Sequence, residues 1–234
     1  MIKVIELPID KDMGGLTSYV LQLYRMIDKK EFELTLLSYD DPQNFDVNYK
    51  VEKVSRPYHV IQFYKKMKCL LSEGKDIIHF HQSYVNIIPI LIAKLAGFKT
   101  IILHAHSSSI DDNRKIVRFL KTGLHKVGRF LLPYLVDTYI GCSTKASEWM
   151  FPRTCIDSDS YYLLHNAIDL DLYDRNINLG LEVRQKFNIP KDALVVGHIG
   201  RFTPVKNHPF IIDIFKEVLK QNPCLLYTSD AADE

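Results

Sequence analysis

The stretch DIIHFHQSYVNIIPILIAKLAGFKTIILHAHSSS, residues 76–109, reads as strand, helix, strand. Asp76–Phe80 and Thr100–Leu103 are short apolar runs, the pattern of strands buried on both faces. Between them Val85–Leu95 reads as a helix, long enough to cross over and return the chain parallel to its start. The same alternation runs outward in both directions. Upstream, Ile2–Leu7 reads as a strand, and Leu16, Tyr19, Val20, Leu23 and Ile27 then fall on one helical face. Phe32–Leu37 reads as a strand, and Tyr58–Leu71 as a helix with Val60, Phe63, Met67 and Leu71 in a stripe. Downstream come a helix at Arg114–Leu132, a strand at Thr138–Ile140, a short helix at Thr144–Met150 and a strand at Tyr161–Leu164. Strands alternating with helices, joined by right-handed crossovers, predict an α/β fold: a Rossmann-like, doubly wound parallel sheet.

Asn188–Pro190 reads as a linker. A strand at Ala193–His198, a loop and a helix from about Pro209 to Leu219 then open a second α/β domain. One βα unit cannot bury its own faces. The expected organisation is a first domain over 1–188 and the start of a second, truncated one over 189–223. The segment CLLYTSDAADE, 224–234, breaks the pattern and resembles one translated frame of a sequencing-library adaptor, so the true gene is expected to continue; the alternative is a natural acidic tail.

Composition narrows the function. Of 234 residues, 47% are hydrophobic and 25% charged, which predicts a folded globular chain. A formal charge of +2 gives no electrostatic case for a nucleic-acid partner. The start, MIKVIELPID, lacks the basic-then-apolar layout of a signal peptide, and the longest apolar run, Ile87–Leu95, is too short to span a bilayer. Cys69, Cys142, Cys155 and Cys224 are scattered without a CxxC pair, as in a reduced, cytoplasmic compartment.

Five segments carry side chains or backbone suited to chemistry. MGGL, Met13–Leu16, follows the first strand and opens a helix: two glycines admit a close ligand, and the helix N-terminus presents unpaired N–H groups to a phosphate or a sugar hydroxyl. It is not GxGxxG, so a nicotinamide cofactor is not indicated. A tight turn without a ligand is the competing reading. His79/His81 and His104/His106 each lie two apart at a strand end, facing one way, where ligands bind open α/β sheets. His-x-His also suits zinc, but no carboxylate or cysteine stands out as a further ligand, so no metal is expected. In GRFTPVKNHPF, 200–210, Arg201 and Lys206 flank a loop before a helix, a setting for a diphosphate or simply a solvated basic loop. Asn166 and Asp169 in LHNAIDLDLYD, 164–174, read by default as turn residues. On helix 114–132, Arg114, Arg118, Lys121, His125 and Arg129 trace one face, and Val117, Leu120, Leu124, Val127 and Leu131 another. Such a helix is usually a solvated surface helix, and a peripheral contact with the inner face of a membrane is the functional alternative.

Taken together in this order, the Gly14–Gly15 loop, HAHS (104–107), VDTYIGCS (136–143), LHNAIDLDLYD and GRFTPVKNHPF resemble glycosyltransferase family 4 over residues 1–223. The finer flavour is similar to bacterial enzymes of exopolysaccharide or capsule assembly. The resemblance implies a GT-B fold, two Rossmann-like domains facing a cleft, with the acceptor on the first and a nucleotide sugar on the second. It implies transfer of a hexose to a glycan or lipid-linked acceptor with retention of configuration and without a metal or other cofactor. By position Gly14, Gly15, Arg201 and Lys206 match donor-binding residues, His106 the histidine beside the reacting sugar, and His81 and Asn166 residues of the cleft. The family's paired glutamates and nucleotide pocket belong later in the second domain than this chain reaches, so the chain as given is expected to be inactive. Competing readings are a nucleotide-sugar epimerase of the same layout, a metallohydrolase built on the His-x-His pairs, and a non-catalytic acceptor-binding module.

Overall fold

In a computed structural model the described residues are 1–11, 14–110, 112, 114–170, 177–191, 193–200, 202–203, 206–221 and 225–230. They fall into two compact units, Met1–Ile168 and Asp169–Glu234. The first unit holds strands β1 (Ile2–Ile9), β2 (Phe32–Ser38), β3 (Val51–Lys53), β4 (Ile77–Gln82), β5 (Thr100–Ala105), β6 (Thr138–Gly141) and β7 (Tyr161–Leu163). Its helices are α1 (Gly15–Met26), α2 (Val60–Ser72), α3 (Ile87–Ala96), α4 (Lys115–Leu135), α5 (Thr144–Met150) and α6 (Arg153–Ile156). The strands form one sheet in the order β3-β2-β1-β4-β5-β6-β7, every pairing parallel. This is the doubly wound sheet that the alternation predicts. Its order reverses at β1, whose neighbours are β2 and β4, so the switch-point crevice opens at the carboxyl ends of β1 and β4.

Side-chain alternation assigns the two faces. Ile5, Leu7, Ile78, Phe80, Ile101 and Leu103 are buried in one cluster with Phe63, Met67 and Leu70 of α2 and with Ile90 and Ala93 of α3. The intervening residues point the other way. There Leu36 packs with Val20 and Leu21 of α1, joined by Ile9, which lies past a register shift between Glu6 and Ile9. On that second face lie Glu6, His79, His81 and His104, all buried. Local signals set the central crossover: Asn86 caps α3 by accepting from the Ile88 N–H, and Gly97, at φ 106°, ends it by donating back to Ala93.

Several boundaries depart from expectation. The His-x-His pairs do not merely follow their strands: His79, His81 and His104 are inside β4 and β5. The strand β3 and the short helix α6 were not foreseen; each is too brief to show a period. The face of α4 is a correction. Its expected basic face is divided: Arg114 and Arg118 are exposed, but His125 is buried and accepts from the Val85 N–H, and Arg129 donates to the carbonyls of Glu148 and Phe151. Lys121 pairs with Asp112. An exposed apolar stripe runs along the opposite side, Ile116, Phe119, Leu120, Val127, Phe130 and Tyr134, with exposed Lys115 and Lys126 at its edge.

The second unit carries α7 (Ile177–Lys186), β8 (Leu194–Ile199), α8 (His208–Gln221) and β9 (Leu225–Asp230). The expected domain boundary at 188 therefore falls within it, after a helix that sequence reading did not assign. Leu225–Asp230, set apart from the pattern by sequence, pairs parallel with β8. Its LLYT run has strand-forming chemistry that a neighbouring edge accepts whatever its origin. Leu194, Val196 and Ile199 of β8 and Phe210, Ile212 and Ile214 of α8 remain exposed.

Close packing of α4 makes one substitution diagnostic. A Cβ on Gly128 would lie 2.5 Å from Val85 Cγ1 and 3.2 Å from Val85 Cβ. Gly128→Ala is expected to lower stability by roughly 1–3 kcal/mol through overpacking, outweighing the gain of up to about 1 kcal/mol in helix propensity. Thermal melts should show the loss, and Val85→Ala in the same chain should return part of it. A higher melting temperature for Gly128→Ala alone would contradict the packing.

Candidate functional site

The switch-point crevice is bounded by three elements that the sheet brings together. After β1 the chain turns into α1, whose N-cap is Gly14 and whose first residue is Gly15. Among the described residues no side chain caps this end, and a Cβ added to Gly15 would meet nothing within 4 Å. The first N–H groups of a helix can receive an anion or a hydroxyl. Met13, part of the same predicted loop, lies outside the described residues.

One turn after Gly15, Tyr19 lays its ring 5.3 Å from those of both His104 and His106. Parallel register does the rest: Glu6 of β1 is level with His79 of β4, and His81 of β4 with His104 of β5. His106 follows β5 and is pinned by its N–H to the carbonyl of Gln82, 3.0 Å away. Four imidazoles and one carboxylate thus share a single nest. Glu6 Oε2 lies 3.0 Å from His79 Nδ1 and 2.6 Å from His81 Nε2, and His81 Nδ1 lies 2.8 Å from His106 Nε2.

Charge follows from burial and pairing. Burial alone would raise the Glu6 carboxyl, but His79 and His81 outweigh it and hold the group well below the usual carboxylate range. Burial pushes His81 down to about 4, against the pull of Glu6. Burial and the neighbouring imidazoles push His104 and His106 well below an ordinary histidine. At neutral pH the nest is an ionised carboxylate facing neutral His81, His104 and His106 rings.

Nitrogens of His79, His81 and His104 lie within 4.8 Å of one another, so this trio is the candidate for a metal. His79 Nε2 and both nitrogens of His104 are buried without a hydrogen-bond partner among the described residues. His81, however, has both nitrogens engaged, and a metal could take it only by displacing Glu6 or His106.

The structure gathers Gly14, Gly15 and His106 at one crevice. His81 is fully buried behind His106 and does not line a surface. Asn166 is exposed beyond β7, two strands from β5, and is not part of the nest. Arg201 lies outside the described residues. Lys206 is exposed in the second unit, before α8, with its N–H donating to Thr203 O. Glu6 and the partnering role of Tyr19 escaped sequence reading. A lone carboxylate inside the apolar run VIELPI was the available signal for Glu6.

The Glycosyltransferase Family 4 model matches residues 13–172. The chain is 26% identical over 219 residues to "Putative glycosyltransferase EpsF" of Bacillus subtilis (strain 168), covering 86% of this chain and 54% of that protein. It is 21% identical over 232 residues to the UDP-Gal:alpha-D-GlcNAc-diphosphoundecaprenol alpha-1,3-galactosyltransferase of Escherichia coli, covering 94% of this chain and 59% of that protein. The chain thus spans little more than half the length of either relative. Among solved structures, Anabaena Alr3699/HepE in complex with UDP-glucose superposes with a TM-score of 0.69 at 16% identity, over 99% of this chain and 61% of that chain. That likeness is one of fold.

The buried neutral histidines set a pH dependence. Their folded pKa values lie below the ordinary 6.5, so the unfolded chain binds more protons as pH falls from about 6.5 toward 4, and stability falls with it. His81 alone, lowered to about 4, accounts for roughly 3 kcal/mol over that window. Protonation of Glu6 adds to the loss in still more acid solution. Thermal melts between about pH 7.5 and about pH 4.5 should show a steep acid loss; a flat profile would mean the rings are not buried neutral.

Proposed function

Because the chain belongs to glycosyltransferase family 4, we propose that the protein it comes from transfers a hexose from a nucleotide sugar to a glycan or lipid-linked acceptor in polysaccharide assembly. The reaction retains anomeric configuration and uses no metal. The observation that carries this reading is that α1, whose N-terminus at Gly15 follows β1, packs Tyr19 against His106 at the end of β5, on the carboxyl side of the sheet. Backbone N–H groups there can hold donor phosphate oxygens as charge builds on the leaving diphosphate. His106 orients the reacting sugar. We assign Gly14 and Gly15 to donor binding, and Arg201 and Lys206, a basic pair before a helix, to donor binding as well. A uridine diphosphate donor is the favoured class, since the Escherichia coli relative is named for UDP-Gal and the Anabaena structure holds UDP-glucose.

The acceptor side adds a surface. Among the described residues no helix is long and apolar enough to cross a membrane. The outward stripe of α4 carries Ile116, Phe119, Val127, Phe130 and Tyr134, each at least 60% exposed, with exposed Lys115 and Lys126 at its edge. Apolar side chains edged by lysine match an anionic lipid surface, where a lipid-linked acceptor would be met from the cytoplasmic side. The exposed apolar faces of β8 and α8 support a second domain that continues beyond this sequence, and transfer is assigned to that longer protein rather than to these 234 residues.

Transfer is tested on the longer protein with a labelled UDP-hexose, a membrane-derived acceptor and excess chelator. Labelled glycan should form, and His106→Ala should lower kcat by about a hundredfold. Gly15→Ala fills the open space without disturbing the fold and should weaken donor binding by about tenfold while leaving the melting temperature unchanged. Appearance of an isomerised UDP-sugar in place of glycan would mean epimerisation. Acceptor binding with no nucleotide binding would leave a non-catalytic module.

The α4 surface is tested on the chain as it stands by sedimentation with vesicles. Binding should require anionic lipid and weaken with salt, and Phe119→Ser with Phe130→Ser should reduce it by about tenfold or more. Equal binding to neutral vesicles, or concentration-dependent dimers with no vesicle binding, would refute a lipid partner.

A further inference from the structure

We propose that Glu6 is the positioning residue of the crevice: through His81 it fixes His106 as the Nε2–H tautomer, so that Nδ1 is the hydrogen-bond acceptor presented to a sugar hydroxyl. The proposal rests on the reading of His106 as the ligand-facing group and supplies what that reading lacks, a reason for one ring nitrogen to face the ligand rather than the other.

The inference follows from the direction each hydrogen bond must take. An ionised carboxylate accepts and never donates. Glu6 Oε2 receives two contacts, from His79 Nδ1 at 3.0 Å and His81 Nε2 at 2.6 Å, so both of those nitrogens carry hydrogen. A neutral imidazole has one N–H, and burial keeps His81 neutral. His81 Nδ1 therefore offers its lone pair. His106 Nε2, 2.8 Å away, must donate to it, and its own neutral ring is left with a bare Nδ1. No described residue bonds that atom, and His106 is partly exposed where His81 is sealed. Reversing one link would set two lone pairs or two hydrogens face to face inside the sheet. That disfavours the other tautomer by roughly tenfold or more.

The backbone makes the chain rigid. Glu6 and His79 are level across β1 and β4, and His81 and His104 across β4 and β5. The Gln82 carbonyl holds the N–H of His106. Tyr19 packs against the rings of His81, His104 and His106 from α1. A bare Nδ1 held this way accepts from an O–H, whereas the opposite tautomer would offer a donor and select a carbonyl or phosphate oxygen instead.

The same directions bear on the metal alternative. With His79 donating from Nδ1, at most its Nε2 can offer a lone pair, and His104 offers one more. His81 offers none while it bridges Glu6 and His106. Two free lone pairs fall short of the three protein ligands usual for zinc.

The test is long-range proton–nitrogen NMR of the chain labelled with ¹⁵N-histidine, near neutral pH, with His106 assigned by the signal lost in His106→Gln. The expected pattern is a protonated Nε2 and an unprotonated Nδ1 for His106. In Glu6→Leu the preference should relax, and both His106 nitrogens should shift toward the average of two tautomers. A protonated Nδ1 in the unaltered chain overturns the proposal, as does a folded Glu6→Leu chain whose His106 signals are unmoved. If Glu6→Leu fails to fold, the pattern of the unaltered chain decides by itself. Zinc chloride should leave the four rings unperturbed; stoichiometric shifts at His79, His81 and His104 would overturn the proposal in favour of a metal centre. Because the readout is a tautomer and not transfer, failure of the transferase reading and failure of this one are separately visible.

Discussion

A carboxylate carried into the interior of a sheet costs several kcal/mol unless donors meet it, and Glu6 sits in β1, an inner strand, with 2% of its surface exposed. Much of the crevice can be understood as the answer to that cost. The donors are imidazoles of the neighbouring strand, and they reach Glu6 because β1 and β4 pair in the register that sets Glu6 level with His79. A slip of one residue would turn the histidines to the opposite face, among Phe63, Met67 and Ile90, and leave the carboxylate alone. Register, burial and charge therefore specify one another at this point, and His106 inherits its orientation from them.

The two faces of the sheet divide the labour. The face toward α2 and α3 is continuous hydrocarbon and carries the packing. The face toward α1 has a smaller apolar cluster, Ile9, Val20, Leu21 and Leu36, and gives the remaining area to polar rings. Those rings are poorly satisfied: His104 has no partner on either nitrogen among the described residues. An interior that tolerates such a group has traded stability for a polar environment next to a ligand crevice, as sites built for binding do.

Helix α4 shows how a helical wheel read alone can be turned the wrong way. Its cationic positions look like the natural outside. Yet Arg129 finds two carbonyls, Lys121 finds Asp112, and His125 stacks on Trp149 while accepting from Val85. Once those polar groups have partners inside the fold, the aromatic and aliphatic residues of the helix are left facing out. An exposed stripe of that kind marks an interaction surface more often than a solvated one.

The alternation of apolar runs and helical stripes and the glycine pair before α1 were legible in the chain, because each depends on neighbours a few residues apart. So was the convergence of two His-x-His pairs on one end of the sheet, since strand periodicity puts alternate residues on one side. What the chain could not disclose is which groups meet across long separations. The bond from Glu6 to His81 spans 75 residues, that from His81 to His106 spans 25, and the inward turn of His125 depends on a loop 40 residues away. Local sequence fixes which atoms can donate or accept; only strand order and register decide which of them are within reach, and so which ring nitrogen of His106 is left bare.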